Sequence, residues 1–249
     1  MYRRGFPGAL LVAVAIGCAG NQQSSEQQVA SGQAETQGAA SVSALTPDEQ
    51  AAGWRPLFDG RTTAGWRGYR RADAPSGWQV VDGALTRVGQ GGDIITNDQF
   101  ENFELALEWK VAAGGNSGIF YRATEQGDAV YTSGPEMQVL DDARHVDGKS
   151  RLTSAGALYG LYAAPPGVVK PAGEWNAVRI VVNGSHVEHW LNGVKVVDAE
   201  MGSPDWTKRV SEAKFKEWPE FGRAKRGHIA LQDHGDWVAY RNIKIKVLP

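Results

Sequence analysis

The sequence has a single cysteine, no strong excess of either charge and no apolar run long enough to cross a membrane. One cysteine among 249 residues excludes a framework of disulfide bonds. The 26 basic and 28 acidic side chains leave a formal net charge of −2, and the whole imbalance lies in the first fifty residues. Binding to duplex nucleic acid or to an anionic membrane needs a clustered positive excess, so neither partner is expected.

The cysteine ends a short amino-terminal leader. Arg3 and Arg4 precede an apolar run over residues 9–17, which is far shorter than the ~20 residues of a membrane-spanning helix. This pattern predicts a signal peptide over residues 1–17. Residues 15–18, Ala15-Ile-Gly-Cys18, span the end of this peptide and resemble the bacterial lipobox, although leucine is usual where Ala15 stands. The resemblance implies that Cys18 is lipidated.

Lipidation implies an exported protein whose membrane contact is its lipid anchor. Ala19 follows Cys18 in place of the aspartate that favours retention in the inner membrane, so the outer membrane is expected. An ordinary secretory signal with an incidental cysteine is the alternative. Residues 18–50, rich in Gln, Ser, Ala and Gly, are interpreted as a flexible tether. The folded domain is predicted to span residues 51–249.

From Trp54 onward, the sequence is typical of an all-β domain. Asp82-Gly83 and Asn192-Gly193 each separate two short apolar segments, and both dipeptides accept the positive φ of tight hairpin turns. Residues 103–111 alternate apolar with mostly polar side chains, as in a strand with one buried face. Further strands are predicted at 118–123, 136–141, 155–159, 175–183, 228–233 and 237–247. About a dozen strands predict a sandwich or jelly roll.

One segment, near 204–217, has helical signals. Ser203 is a candidate N-cap, Pro204 follows at the first helical position, and Pro219 is a stop signal. Basic residues exceed acidic ones by three between 205 and 226. This segment is either a solvated surface helix or a lid beside a polar or anionic ligand.

Several short blocks follow one another in order over residues 53–249. They are GWRPLFDG at 53, NSGIFYR at 116, EMQVLDD at 136, AGALYG at 155, EWNAVR at 174, LNG at 191, GHIALQDHG at 227 and YRNIKIK at 240. Together these blocks resemble the 3-keto-disaccharide hydrolase family. The resemblance implies a concanavalin A-like jelly-roll sandwich of two curved antiparallel sheets whose concave face binds sugar. It also implies cleavage of glycosides already oxidised to a ketone at C3.

A C3 ketone acidifies the C2 hydrogen, so such a site needs a base, an electrophile for the ketone oxygen and help for the leaving group. Glu136 and Gln138 share one face of a predicted strand, and Met137 and Val139 would face the core. Glu136 is therefore the candidate base. A surface glutamate in a cross-strand pair is the alternative interpretation.

Further site residues follow from the remaining blocks. His234 is a candidate acid, base or metal ligand at a strand end, unless it is structural. Arg122 is a candidate catalytic cation, and Arg241 could equally polarise the ketone oxygen or fork onto hydroxyls; either guanidinium could instead be scaffold. The expected substrate-binding residues are Asn116, Gln138, Asp141, Gln232 and Arg241.

No cofactor is assigned with certainty. Asp141, Asp142, His145 and Asp147 form an acidic loop that could bind a divalent cation, although a plain surface loop is the more economical interpretation. Trp66, Trp78, Trp175 and Trp237 are candidate stacking platforms for a sugar, or core residues.

Two other functions remain open at this stage. One is a lectin-like binding module without catalysis, because the same sandwich supports both. The other is a conventional endoglucanase, which needs two carboxylates across one cleft. In the predicted strand that carries Glu136, the residues two and four positions further along are Gln138 and Leu140, so this strand supplies no second acid. The expected ligand is a 3-keto-glycoside or another saccharide.

Overall fold

The computed structural model describes residues 45–249, whose regular secondary structure is mainly thirteen β-strands. The strands are β1 (Trp54–Pro56), β2 (Trp66–Gly68), β3 (Trp78–Val81), β4 (Ala84–Arg87), β5 (Ile94–Thr96), β6 (Phe103–Val111), β7 (Asn116–Ala123), β8 (Glu136–Leu140), β9 (Asn176–Asn183), β10 (His186–Leu191), β11 (Val194–Glu200), β12 (His228–Leu231) and β13 (Val238–Val247). Two α-helices are α1 (Pro47–Ala51) and α2 (Pro204–Glu212), and 3₁₀ turns lie at Val130–Thr132, Val146–Lys149 and Lys214–Glu217.

The strands form two antiparallel sheets. The larger sheet has the order β11-β10-β9-β6-β13-β4-β3, and β1 also pairs with β13. The smaller sheet has the order β2-β5-β12-β7-β8. One apolar core contains side chains from both sheets. The predicted all-β sandwich of two antiparallel sheets is confirmed.

Alternating side chains fill this core. Residues at every second position of β6 are buried, and the residues between them are partly exposed. Fully burying a large apolar side chain stabilises a fold by roughly 1.5–3 kcal/mol, so such a strand is held firmly in one register. The inward residues of β6 are Phe103, Leu105, Leu107, Trp109 and Val111.

The two predicted hairpins are confirmed. Asp82 and Gly83 have φ of 49° and 74° between β3 and β4, and Asn192 and Gly193 have φ of 48° and 83° between β10 and β11. These are the left-handed conformations that tight two-residue turns require.

The predicted strand at 155–159 is not formed. Only Leu158 makes isolated bridges there, with Met137 and Tyr162. Gly156 and Gly160 have φ of 84° and 71°, and these two turns prevent a continuous extended segment. The segment instead lies beside β8, with backbone hydrogen bonds to Glu136 and Gln138.

The folded structure begins before the predicted domain start at residue 51. Thr46 and Glu49 form a reciprocal capping box at the start of α1, and the Glu49 carboxylate pairs with Lys244 of β13. Residues 46–51 therefore form a capped helical turn that this ion pair joins to β13. The predicted signal peptide, Cys18 and most of the tether lie outside the described residues.

The helical segment near 204–217 is confirmed. The Ser203 hydroxyl accepts a hydrogen bond of 3.1 Å from the Trp206 backbone, Pro204 opens α2, and the turn Lys214–Glu217 follows. Among residues 45–249, no helix has the length and apolar character that crossing a membrane requires.

Candidate active site

A cleft of about 330 Å³ lies on the face of the smaller sheet that points away from the core. Strands β7 and β8 and the segment after β12 form its floor. The turns and loops around residues 131, 147–159 and 214–218 form its walls. The lining residues are Asn116, Tyr131, Glu136, Gln138, Asp147, Tyr159, Lys214, Trp218, Gln232 and His234.

Strand alternation places Glu136 and Gln138 together on the cleft floor, as predicted. The intervening Met137, and Val139 beyond, are fully buried in the core. On the neighbouring strand β7, Gly118 lies opposite Gln138. A β-carbon at position 118 would overlap the carboxyl oxygen Oε1 of Glu136, so glycine makes room for this carboxyl group.

The carboxyl group of Glu136 is strongly perturbed by its surroundings. Burial raises its pKa to about 8, the Lys214 ammonium opposes this shift, and the carboxyl groups of Asp93 and Asp147 reinforce it. The carboxyl group has no hydrogen-bond partner in residues 45–249. A carboxyl group with a pKa near neutrality can exchange a proton with a ligand.

Two amide oxygens beside Glu136 also have no partner in the described chain. They are Oδ1 of Asn116 and Oε1 of Gln138, and both are buried. The Gln138 amide nitrogen donates to the Thr153 carbonyl oxygen at 3.2 Å, which turns the amide oxygen away from that bond. A buried acceptor without a donor costs about 1–3 kcal/mol. The cleft therefore complements a ligand that carries hydroxyl groups.

His234 and Gln232 lie at the opposite side of the cleft. The His234 ring is about half exposed, with Nδ1 4.0 Å from the Asp236 carboxylate. Its ring centroid lies 6.2 Å from that of His145. The backbone N–H of Gln232 donates to the Gly118 carbonyl, which attaches this segment to β7. His234 therefore lies between the cleft and solvent.

Arg122 does not reach the cleft, contrary to its predicted catalytic role. Its guanidinium donates two hydrogen bonds, of 2.9 and 2.7 Å, to the Glu101 carbonyl and one of 3.3 Å to Asn102 Oδ1. Its φ is 51°, and the pairing of β7 with β12 shifts register nearby, between His228 and Ala230. The predicted role came from the block at 116–122 that carries the family resemblance, and these contacts hold the guanidinium outside the cleft.

Arg241 and Asp141 also lie outside the cleft lining, although both were expected to bind substrate. Arg241 belongs to the larger sheet, where its Nε donates to the Glu108 carboxylate at 2.6 Å and its guanidinium stacks 4.0 Å from the Trp175 ring centroid. Asp141 is buried and accepts backbone hydrogen bonds from Gly114 and Ala143. Both side chains stabilise the scaffold.

The acidic loop does not assemble a metal-binding cluster within residues 45–249. Asp142 accepts the Ala155 N–H at 2.8 Å, and His145 Nδ1 accepts the Asp147 N–H at 3.1 Å. One group in the described chain has the geometry to hold a cation, outside the cleft, and the Lys195 ammonium already pairs with it. Its members are His186, Glu188 and Asp198.

Five of the lining residues were not predicted from the sequence to contact substrate. Lys214 lies in the basic segment for which a lid was one interpretation, and Asp147 lies in the acidic loop. Trp218, with Tyr131 at 5.1 Å between ring centroids, supplies the aromatic surface. Trp66 and Trp78, by contrast, are buried in the core, and none of the four tryptophans proposed as platforms lines the cleft. The fifth residue is Tyr159.

These features define a class of protein: a β-sandwich with one buried carboxyl group of raised pKa in a cleft suited to a hydroxylated ligand. Comparison with known proteins identifies the family. Residues 53–246 match the model of the 3-keto-alpha-glucoside-1,2-lyase-like domain, and the chain belongs to this family.

A named relative and two solved structures are consistent with this family. A curated Bacteroides thetaiotaomicron protein named 3-keto-disaccharide hydrolase is 36% identical, and the alignment covers 96% of each chain. Two crystal structures from Parabacteroides distasonis, both provisionally assigned as glycosyl hydrolases, are also similar. One has a TM-score of 0.78 and 35% identity and covers 83% of this chain and 99% of that one. The other has a TM-score of 0.62 and 33% identity and covers 78% of this chain and 99% of that one. Together the relatives support a glycoside-cleaving enzyme.

Proposed function

We propose that this protein cleaves the glycosidic bond of 3-keto-glycosides, with Glu136 as the general base. The carrying observation is the buried Glu136 carboxyl group, whose pKa is raised to about 8. A base of raised pKa is stronger once it is ionised, and the acidified C2–H of a 3-keto-sugar needs such a base. The family and the named relative support the substrate class.

The reaction proceeds by elimination followed by hydration. Glu136 takes the C2 proton, and the electrons of the C2–H bond form an enolate whose charge rests on the C3 oxygen. The C3 carbonyl then re-forms, C1 and C2 become double-bonded, and the C1–O bond breaks. The aglycone oxygen leaves with the bonding electrons and takes up a proton. Water next adds hydroxide to C1 and a proton to C2, so one water molecule is consumed overall.

The other cleft residues divide the remaining tasks. The free oxygens of Asn116 and Gln138 accept hydrogen bonds from sugar hydroxyl groups. Trp218 supplies an aromatic face for a pyranose ring. His234, half exposed at the cleft, protonates the leaving aglycone and admits the water.

A conventional two-carboxylate glycosidase is the second candidate, because one observation favours it. The strand of Glu136 has no second acid, but the turn Val146–Lys149 brings Asp147 into the same cleft. The Asp147 carboxylate lies 3.5 Å from the Tyr159 hydroxyl. Such an enzyme would cleave glycosides that carry an ordinary hydroxyl group at C3.

The test compares a p-nitrophenyl 3-keto-glucoside with its unoxidised parent. The full-length protein should release nitrophenol from the keto compound and not from the parent. In D₂O, elimination and hydration should place deuterium at C2 of the product, whereas direct displacement at C1 retains the proton. A parallel incubation of 3-keto-glucose with the enzyme corrects for exchange in the released product. Release from the parent supports the two-carboxylate enzyme, and calorimetric binding without release supports a lectin-like module.

We also propose that the protein is exported and held to the outer membrane by a lipid on Cys18. The leader and the lipobox-like residues 15–18 support this proposal. In a bacterial host fed radiolabelled palmitate, the wild-type chain should carry label and co-sediment with outer membranes. Cys18→Ser should lose the label. A soluble, unlabelled wild-type chain in the periplasm would instead indicate an ordinary secretory signal.

A further inference from the structure

Lys214 places a positive charge at the cleft beside Glu136. It is the first residue of the turn Lys214–Glu217, which follows α2. Its ammonium lies 4.5 Å from the Tyr159 ring centroid and 5.8 Å from that of Trp218, and both rings line the same cleft. The Lys214 side chain is exposed, and these cation–π contacts place its ammonium at the mouth of the cleft.

Among the residues that the structure describes, the Lys214 ammonium has no acidic partner. No carboxylate oxygen in the described chain lies within ion-pair distance of it, whereas the ammonium groups of Lys195 and Lys208 both pair with acidic side chains. The nearby Glu136 carboxyl group is the acidic group on which its charge acts, by lowering the pKa. The donor capacity of the ammonium therefore remains available to a ligand.

The elimination creates negative charge on the C3 oxygen, and a donor aimed at that oxygen stabilises the transition state. Two arginines were expected to do this, but the Arg122 and Arg241 guanidinium groups bind Glu101 and Glu108 elsewhere. The free amide oxygens of the cleft only accept hydrogen bonds. Within residues 45–249, Lys214 is the lysine or arginine that lines the cleft.

We propose that Lys214 is the electrophile of this active site, with its ammonium donating to the C3 oxygen of a 3-keto-sugar as the enolate forms. This inference rests on the proposed function. It assigns to the segment 204–217, through Lys214, a catalytic contribution. The bond to the C3 oxygen is non-covalent, so no atom of the lysine is transferred.

The test uses full-length Lys214→Met, Lys214→Arg and a matched control, Lys216→Met. Lys216 lies two residues further along the same turn, is exposed and does not line the cleft. Two rates are measured: release of nitrophenol from the 3-keto-glucoside, and exchange of the C2 hydrogen of 3-keto-glucose with D₂O. The second rate reports enolate formation without a leaving group.

Lys214→Met should lower kcat and the exchange rate by about 100-fold, in the range for loss of one oxyanion donor. Its KM should change by a few-fold only, and the rising limb of its pH profile should move to higher pH because Glu136 loses a nearby cation. Both rates of Lys214→Arg should be at least about tenfold higher than those of Lys214→Met, since the charge is kept. Lys216→Met should match the wild type, and thermal unfolding verifies that all variants are folded.

Retention of both rates by Lys214→Met, within about threefold of the wild type, would overturn the inference while leaving the proposed function standing. No nitrophenol from the wild type would overturn the proposed function, and this inference would fall with it. Loss of activity in Lys214→Met that Lys214→Arg does not recover at all would also count against a purely electrostatic role.

Discussion

Replacing Glu136 with glutamine should make the protein more stable and inactive. A buried carboxyl group whose pKa is about 8, against an ordinary value of 4.5, binds its proton more tightly in the folded state than in the unfolded one. Unfolding therefore releases a proton between these pH values, and the folded state is penalised as pH rises above 4.5. The penalty reaches roughly 3 kcal/mol at pH 7 and levels off near 5 kcal/mol above pH 8, at about 1.4 kcal/mol per pKa unit.

The assay is urea unfolding of wild type and Glu136→Gln at pH 4, 7 and 9. The two proteins should be nearly equal at pH 4, and the variant should gain about 3 kcal/mol at pH 7, equivalent to a rise in Tm of about 6–12 °C. Glu125→Gln is a control of opposite sign, because the ion pair with Arg67 lowers the Glu125 pKa to about 2. That variant should lose stability at pH 7.

The activity of the wild type provides the second measurement. If ionised Glu136 is the base, kcat/KM on a 3-keto-glucoside should rise about tenfold between pH 7 and pH 9, since roughly a tenth of the groups are ionised at pH 7 when the pKa is about 8. A profile that falls over this range would indicate a general acid. Equal stability of wild type and Glu136→Gln at pH 9 would refute the burial argument itself.

Three further substitutions separate catalysis from scaffold. Gly118→Ala should leave the sandwich folded but lower kcat at least about tenfold, because the added methyl group displaces the Glu136 carboxyl group; unchanged kcat would contradict this. Arg122→Gly keeps the positive φ and removes the bonds to Glu101, so urea unfolding should show a loss of about 1–3 kcal/mol, with unchanged kcat in the folded fraction. Gln138→Met removes a buried oxygen without a donor and also the amide's bond to the Thr153 carbonyl, so it should change the stability of the empty protein little and raise KM; an unchanged KM would argue against sugar binding there.

Local sequence patterns predicted much of the floor of the site. Alternation in β8 correctly separated Glu136 and Gln138 from the core residue Met137, because pairing within a sheet enforces a period of two. The Asp-Gly and Asn-Gly hairpins were equally predictable, because their conformational requirement is local.

The walls of the cleft were not predictable in this way. Lys214 and Tyr159 are separated from Glu136 by 78 and 23 residues and come from segments without regular periodicity. Arg122, predicted from a block of the family resemblance, instead lies outside the cleft, at a position where a positive φ and a nearby register shift interrupt regular strand geometry. Hydrophobic periodicity predicts which face of a single strand is buried, but it does not predict which loops pack over the exposed face of the sheet.

By itself, the sequence determined the all-β class, the hairpins, the helical segment and the shared face of Glu136 and Gln138, since each depends on residues close together in the chain. Only the tertiary structure decided that Asp147, Lys214 and Trp218 meet above that face, and that the expected arginines belong to the scaffold. Long-range packing also buries the Glu136 carboxyl group, and this burial raises its pKa to about 8. The reactivity of the site is thus a property of the assembled cleft, because desolvation depends on every element that surrounds the group.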